Sequence, residues 1–249
     1  MTKLKENKNI FVYAHRGVPT LCQENTMESF KKAVDLKYNG IEMDVLTTKD
    51  KKIIVFHDKK INSIDKKIKD LTFEEIKNIY EKKKKPIKVP TLCDVLEKIG
   101  HKTVFNIEVK DQGEISQKYV IGKVIELLKR HNLFDNIIIS SFNAQILKES
   151  KKIDNRYKTA WIWSKKNYRF YNSWKKVLRH YGPDKIHINQ SLLTKKIIDK
   201  VHKTNREIFA YTVNDKKTLR KLIEMKVDGV FTDSPTILDL SRGTNHQRT

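Results

Sequence analysis

The sequence is short of most features that mark an exported, membrane-spanning or nucleotide-wrapping chain. Its 249 residues include only 2 cysteines, 8 glycines and 5 prolines. Cys22 and Cys93 are too few for a disulfide framework and lack zinc-ligand spacing, so they read as reduced thiols. No apolar run approaches the ~18 residues that a membrane span requires. The basic start MTKLKENKN leads into only five apolar residues, Ile10–Ala14, where a signal peptide needs ~7–15; a cytoplasmic protein is the expectation. After the first strand-like run, where an open doubly wound sheet would carry a glycine-rich phosphate loop, the chain reads HRGVPT.

Arginine is scarce as well. The net charge of +22 comes from 43 lysines and 9 arginines set against 30 acidic residues. Sites selected for bidentate phosphate or nucleic-acid contacts favour arginine. The densest run, Lys82–Lys85, has no interleaved aromatic residues on which bases would stack. The excess charge therefore reads as a solvated lysine surface, with no specific nucleic-acid partner expected. At 38% hydrophobic the chain has enough apolar residues for a sizeable core.

Short β-branched runs alternate with helical periodicity along the whole chain. The strand-like runs are 10–15, 40–45, 53–57, 103–109, 137–140, 158–163, 185–189, 207–213 and 229–232. The helical segments are 26–37, 72–81, 91–99, 115–131, 143–150, 171–181, 194–204, 215–226 and 235–240. Thr72 with Glu75 and Thr91 with Asp94 are capping signals. Only Leu46–Lys52 separates the second run from the third, too few residues for a parallel crossover, so run 53–57 must fold back as a hairpin. Eight strands remain. The expectation is a single-domain α/β protein, a TIM (β/α)8 barrel with an extra hairpin strand after the second strand and a short insertion before the next helix. It would span 10–240, between an extension at 1–9 and a flexible tail at 241–249. The stretch 59–89, with 11 lysines and 5 acidic residues, reads as a surface excursion carrying one helix.

Polar residues gather at the strand ends. His15 and Arg16 close the first strand, and Glu42 and Asp44 stand at i and i+2 of the second, on one face. His57 ends the hairpin strand, followed by Asp58; a turn about 49–50 would set His57 opposite Glu42. Asn106, Glu108 and Lys110 share a face of the strand at 103–109, while Ser141, Asn189 and Asn214 finish later strands and Asp233 follows the last. In a barrel these ends meet at one mouth. Three carboxylates, Glu42, Asp44 and Glu108, repel one another there unless a cation neutralises them, and hard oxygen ligands favour Mg²⁺ or Ca²⁺. Arg16 and Lys110 suit an anionic substrate, and two histidines can supply the acid and base for ester cleavage.

These residues also carry a family resemblance. AHRG at 14–17, ENT at 24–26, IEMDV, TKD and VFHD across 41–58, PTL at 90–92 and NIEVK at 106–110 are followed by SSF at 140–142, YTVN at 211–214 and DGVFTDSP at 228–235. In this order, over about 10–238, the chain resembles glycerophosphodiester phosphodiesterases of the small bacterial cytoplasmic type. The resemblance implies a TIM barrel that hydrolyses small glycerophosphodiesters to sn-glycerol 3-phosphate and an alcohol. It implies one divalent cation on Glu42, Asp44 and Glu108, an acid/base pair of His15 and His57, and phosphate-holding Arg16 and Lys110. Glu24, Asn25, Asp58, Asn106, Ser141, Tyr211 and Asn214 are then candidates for supporting positions around the pocket. Departures from the pattern are Gln23 where the family has proline, Lys51 where it has glycine, Tyr211 where it has tryptophan, and an insertion at 59–89 shorter than the family's, which bears on substrate selectivity. The rival expectations are a lysophospholipase D-type phosphodiesterase and a basic polyanion-binding barrel with a vestigial site.

Overall fold

In the computed structural model, which describes residues 10–242 apart from 83, 85, 114 and 165–173, the first strand closes a ring. The extension 1–9, the tail from 243, and Lys83 and Lys85 of the lysine run lie outside the described residues. In chain order the strands are β1 (Phe11–Ala14), β2 (Gly40–Thr47), β3 (Ile53–Val55), β4 (Lys60–Ile61), β5 (Lys66–Lys67), β6 (Val104–Val109), β7 (Ile137–Ser141), β8 (Lys158–Trp163), β9 (Lys185–Asn189), β10 (Glu207–Tyr211) and β11 (Gly229–Thr232). β1 pairs in parallel with β11 on one side and β2 on the other. The circuit then runs through β6, β7, β8, β9, β10 and back to β11. This is the closed eight-stranded parallel barrel expected from the alternation. β3 runs antiparallel to the end of β2, outside the ring.

The described helices are α1 (Met27–Asp35), α2 (Phe73–Glu81), α3 (Leu92–Ile99), α4 (Gln117–Arg130), α5 (Ala144–Ile153), α6 (Trp174–Tyr181), α7 (Lys195–His202), α8 (Lys216–Glu224) and α9 (Leu238–Ser241). Thr72–Glu75 and Thr91–Asp94 form full capping boxes at the starts of α2 and α3, satisfying backbone N–H groups that a helix start leaves open. None of these helices is long and apolar enough to cross a membrane. The helices pack on the outer sheet face through residues such as Ile41, Met43, Ile107, Ile139 and Ile188, all buried in one core.

The stretch 59–89 holds more than the single helix expected. It contains the ribbon β4–β5, two short 3-10 turns and α2. Ile61, Ile68, Leu71, Ile76, Tyr80 and Val89 pack with Leu46 and Ile54 of the β2–β3 hairpin into a second apolar cluster. The apolar positions are interspersed among lysines, which hides their spacing from a composition count.

The lumen itself is plugged. Tyr13, Ile138, Ala160, Phe209 and Phe231 fill it, with Phe11, Val104 and Tyr211 packed against them. Tyr13 and Phe231 stack with centroids 4.9 Å apart. Such rings fit only because two barrel positions lack a side chain. A Cβ on Gly40 would stand 2.5 Å from the Tyr13 ring, and one on Gly229 would stand 2.2 Å from the Phe209 ring and 2.8 Å from the Phe11 carbonyl oxygen. Gly229→Ala should therefore overpack the plug and destabilise the fold by about 1–3 kcal/mol; thermal unfolding at wild-type Tm would show that the lumen can relax and the steric account is wrong.

Candidate active site

The register of β2 against β6 brings the charges together. Glu42 stands opposite Asn106, and Asp44 opposite Glu108. Residues i and i+2 share a face, and neighbouring strands lie only ~4.8 Å apart. Glu42, Asp44, Asn106 and Glu108 therefore project together into the C-terminal mouth. One carboxylate oxygen from each of Glu42, Asp44 and Glu108 lies within 4.8 Å of the others, and all three residues are buried.

The end of β1 delivers Arg16 in a left-handed conformation, φ +58°, uncommon for a residue with a side chain. Its backbone N–H donates to Glu42 Oε2 at 2.9 Å. Its Nη1 donates to both Glu24 oxygens at 3.1 Å, and its Nε lies 3.2 Å from Asp44 Oδ2. Lys110 Nζ sits between two carboxylates, 2.7 Å from Asp44 Oδ1 and 2.6 Å from Glu108 Oε1. Asn25, also left-handed, donates to Asp44 Oδ2 at 2.9 Å and accepts from the Asp44 backbone N–H at 3.3 Å.

His15 Nδ1 lies 2.7 Å from Asp233 Oδ1, and its Nε2 is 4.0 Å from Glu42 Oε2. Asn214 fixes Asp233, donating to Oδ2 at 2.8 Å and accepting from the Asp233 backbone N–H at 2.8 Å. His57 reaches the site by a different register from the one expected. Val45 pairs with Val55 and Thr47 with Ile53, so the turn centres on Asp50 and the frame would set residue 57 opposite Met43, not Glu42. Lys51 carries this turn at φ +65°, the conformation that a glycine at its position would supply. β3 stops at Val55, Phe56 still donates to the Asp44 carbonyl at 3.0 Å, and His57 follows, its Nδ1 2.7 Å from Asp58 Oδ1.

A cavity of about 240 Å³ opens at this mouth, lined among others by His15, Arg16, Glu42, His57, Glu108 and Lys110. Tyr211 lines it too, its hydroxyl donating to the Trp163 carbonyl at 2.9 Å. Asn106 borders it and donates to Ser140 Oγ at 2.9 Å. Ser141 does not join them. Strand alternation aims Ser140 into the lumen and Ser141 outward, where its hydroxyl donates to the Val109 carbonyl at 2.8 Å.

The electrostatics show an unbalanced centre. Burial pushes the Glu42 carboxyl up to about 8, with the Asp44 charge adding to the shift. Burial alone would raise Asp44 as well, yet Lys110 and Arg16 hold it below the usual carboxylate range. Glu108 is raised, because burial outweighs the opposing Lys110 charge. Burial disfavours the charged form of His15, but the Asp233 hydrogen bond and the Glu42 charge outweigh it and raise its pKa. His57 is lowered by burial and then by Lys110. Two fixed cations thus face three buried carboxylates, and Glu42 is left short of a counter-charge. A divalent cation with a preference for hard oxygen ligands fits that deficit.

Residues 15–237 match the family described as Glycerophosphoryl diester phosphodiesterase family. A glycerophosphodiester phosphodiesterase of Caldanaerobacter subterraneus subsp. tengcongensis is 32% identical over 243 residues, covering 93% of this chain and 97% of its own. The crystal structure of a glycerophosphodiester phosphodiesterase from Thermotoga maritima is 29% identical with a TM-score of 0.77, covering 94% of this chain and 98% of its own. An Oleispira antarctica phosphodiesterase, solved in complex with the product sn-glycerol-3-phosphate, shares the fold at 24% identity and a TM-score of 0.82, over 94% of this chain and 97% of its own. The chain belongs to the glycerophosphoryl diester phosphodiesterase family.

Within that family frame, sequence reasoning missed two side chains at the site. Asp233, which the sequence marks only as a residue following the last strand, is the partner of His15. His187 passed unremarked between two isoleucines of β9, although it shares a face with Asn189 and lines the same cavity; the i, i+2 rule applied to β2 and β6 would have found it.

Because the Asp233 carboxylate favours the charged imidazole, replacing it should move His15 downward. Asp233→Asn in chelator-treated protein is expected to lower the His15 pKa, followed through its ring proton resonances. An unmoved titration would remove Asp233 from the orienting role.

Proposed function

We propose that this protein hydrolyses small-molecule glycerophosphodiesters to sn-glycerol 3-phosphate and an alcohol such as choline, ethanolamine or glycerol. The reaction would use one divalent cation, Mg²⁺ or Ca²⁺, with His15 and His57 as the acid/base pair. The observation that carries this reading is the convergence of three buried carboxylates, two cationic side chains and two imidazoles on one cavity, in a member of this family.

Placement supports each role. Glu42, Asp44 and Glu108 would hold the cation, which when bound supplies Lewis-acid neutralisation of a phosphate oxygen. Arg16, fixed by Glu24 and Asp44, and Lys110, fixed by Asp44 and Glu108, present positive charge to the phosphate without reorganising during the reaction. One imidazole takes the proton of the attacking oxygen, from water or from the glycerol 2-hydroxyl, and the other gives a proton to the departing alcohol oxygen. Asp233 and Asp58 each hold a histidine by Nδ1, which leaves Nε2 as the atom that exchanges protons.

His15→Ala and His57→Ala should each lower turnover about 10²–10⁴-fold with the fold intact. Purified variants retaining wild-type turnover would remove the corresponding histidine from the acid/base pair. Activity should vanish with chelator and return on adding Mg²⁺ or Ca²⁺. The decisive assay incubates the protein with glycerophosphocholine, glycerophosphoethanolamine and lysophosphatidylcholine and measures released glycerol 3-phosphate and choline. No glycerol 3-phosphate from either glycerophosphodiester under any metal condition overturns the reading, and choline release confined to the lysolipid replaces it with lysophospholipase D chemistry.

A further inference from the structure

Beside Glu42 and above the aromatic plug stand two neutral polar side chains that the proposed proton transfers do not use. His187 projects from the middle of β9 into the lumen, 2% exposed, with its ring 4.7 Å from Phe231 and 5.6 Å from Phe209 between centroids. Its Nε2 is buried without a hydrogen-bond partner. Asn106, 1% exposed, donates to Ser140 Oγ, and its own Oδ1 is likewise buried without a partner. Both residues line the cavity that contains Arg16, Glu42, Glu108 and Lys110. Buried polar atoms in folded proteins nearly always have partners, so two orphans on one cavity call for a ligand atom.

Their chemistry narrows what that atom belongs to. Burial, helped by the nearby Lys185 charge, pushes His187 down to about 3, so the ring is neutral at physiological pH. A neutral imidazole offers one N–H and one lone pair, and the amide oxygen of Asn106 offers an acceptor. Neither carries the charge that favours a phosphate, which is served by Arg16 and Lys110, or an ammonium group. A hydroxyl both donates and accepts, and matches them. Position agrees. Asn106 is one lumen tier below Glu108, and His187 one tier below Asn189, each by the i, i+2 alternation. Phe231 lines the same cavity and packs below with Tyr13 and Phe209, which fill the lumen beneath the pair.

We propose that His187 and Asn106 form a hydroxyl-recognition subsite for the glycerol end of the substrate, so that glycerol points into the lumen and the released alcohol faces the open mouth. This rests on the reading that the chain acts on glycerophosphodiesters, and it adds which residues select glycerol. Both would be specificity-determining residues and not members of the proton-transfer pair.

The test is binding, which does not require turnover. In Mg²⁺ buffer, calorimetry compares sn-glycerol 3-phosphate with n-propyl phosphate, which has the same three-carbon skeleton and phosphate but no hydroxyl. The wild type is expected to prefer glycerol 3-phosphate by about tenfold or more, since a polar site left unpaired rejects the analogue. His187→Phe retains a ring against Phe209 and Phe231 and removes the orphan nitrogen. It should bring the preference close to one while leaving n-propyl phosphate affinity unchanged. Asn106→Leu is the second variant, with the same expected loss of preference, should the first not fold. A wild-type preference near one, or a preference retained in the folded variants, overturns the subsite. A preference lost on substitution, in a protein that cleaves no glycerophosphodiester, supports the subsite and overturns the reaction instead.

Discussion

Burying three carboxylates on one strand pair is the constraint around which the rest of this molecule is arranged. The parallel register sets Asp44 beside Glu108 and Glu42 beside Asn106, and the outer residues of both strands are locked in the main core. A one-residue slip would turn the carboxylates outward into apolar packing. Their mutual repulsion cannot be relieved by rearranging the backbone, only by bringing positive charge and hydrogen-bond donors to them. The structure does so from three directions: the left-handed turn at Arg16, the left-handed Asn25, and Lys110, one residue past the end of β6. Glu42 has the poorest share of that compensation, and burial with the Asp44 charge pushes its carboxyl up to about 8.

The two imidazoles are mounted differently, and the difference follows from the chain. His15 is held through a relay within the barrel, Asn214 to Asp233 to His15, which links the ends of β10, β11 and β1. His57 hangs from a hairpin outside the ring and, among the described residues, has its neighbour Asp58 as its one hydrogen-bond partner. The second apolar cluster, under 59–89, gives that hairpin a floor through Leu46 and Ile54. The short insertion therefore packs directly against the hairpin that leads to His57.

Much of this was legible in the sequence because parallel strands and their caps leave strong local signals. The eight barrel strands, the extra hairpin strand and both capping boxes follow from spacing alone, and so does the shared face of Glu42 and Asp44. What failed was what depends on one residue of register or on a buried minority. His57 was set opposite Glu42 because the turn was centred half a residue early, an error that a pattern of apolar residues cannot correct. Ser141, a candidate for a supporting position, points outward to the Val109 carbonyl, and alternation gives the lumen side to Ser140. The second apolar cluster was lost among lysines, and His187 was lost because a histidine between isoleucines looks like core until the lumen around it is seen.

The net charge of +22 sits awkwardly with a site whose own side chains are acidic. Many lysines are spent on exposed pairs along helices, such as Lys123 with Glu126, Lys152 with Glu149 and Lys195 with Asp199, and exposed pairs contribute little to stability. The remaining field is positive and acts beyond about 8 Å only weakly at physiological salt. It can raise the local concentration of an anionic diester near the surface, but it cannot overcome the repulsion of three carboxylates at the mouth. On the proposed chemistry the two effects act in sequence. The lysine surface governs how often the substrate arrives, and cation occupancy among Glu42, Asp44 and Glu108 governs whether its phosphate can stay. Raising the salt should then weaken encounter more than it weakens the docked complex, where Arg16 and Lys110 are already desolvated and screened least.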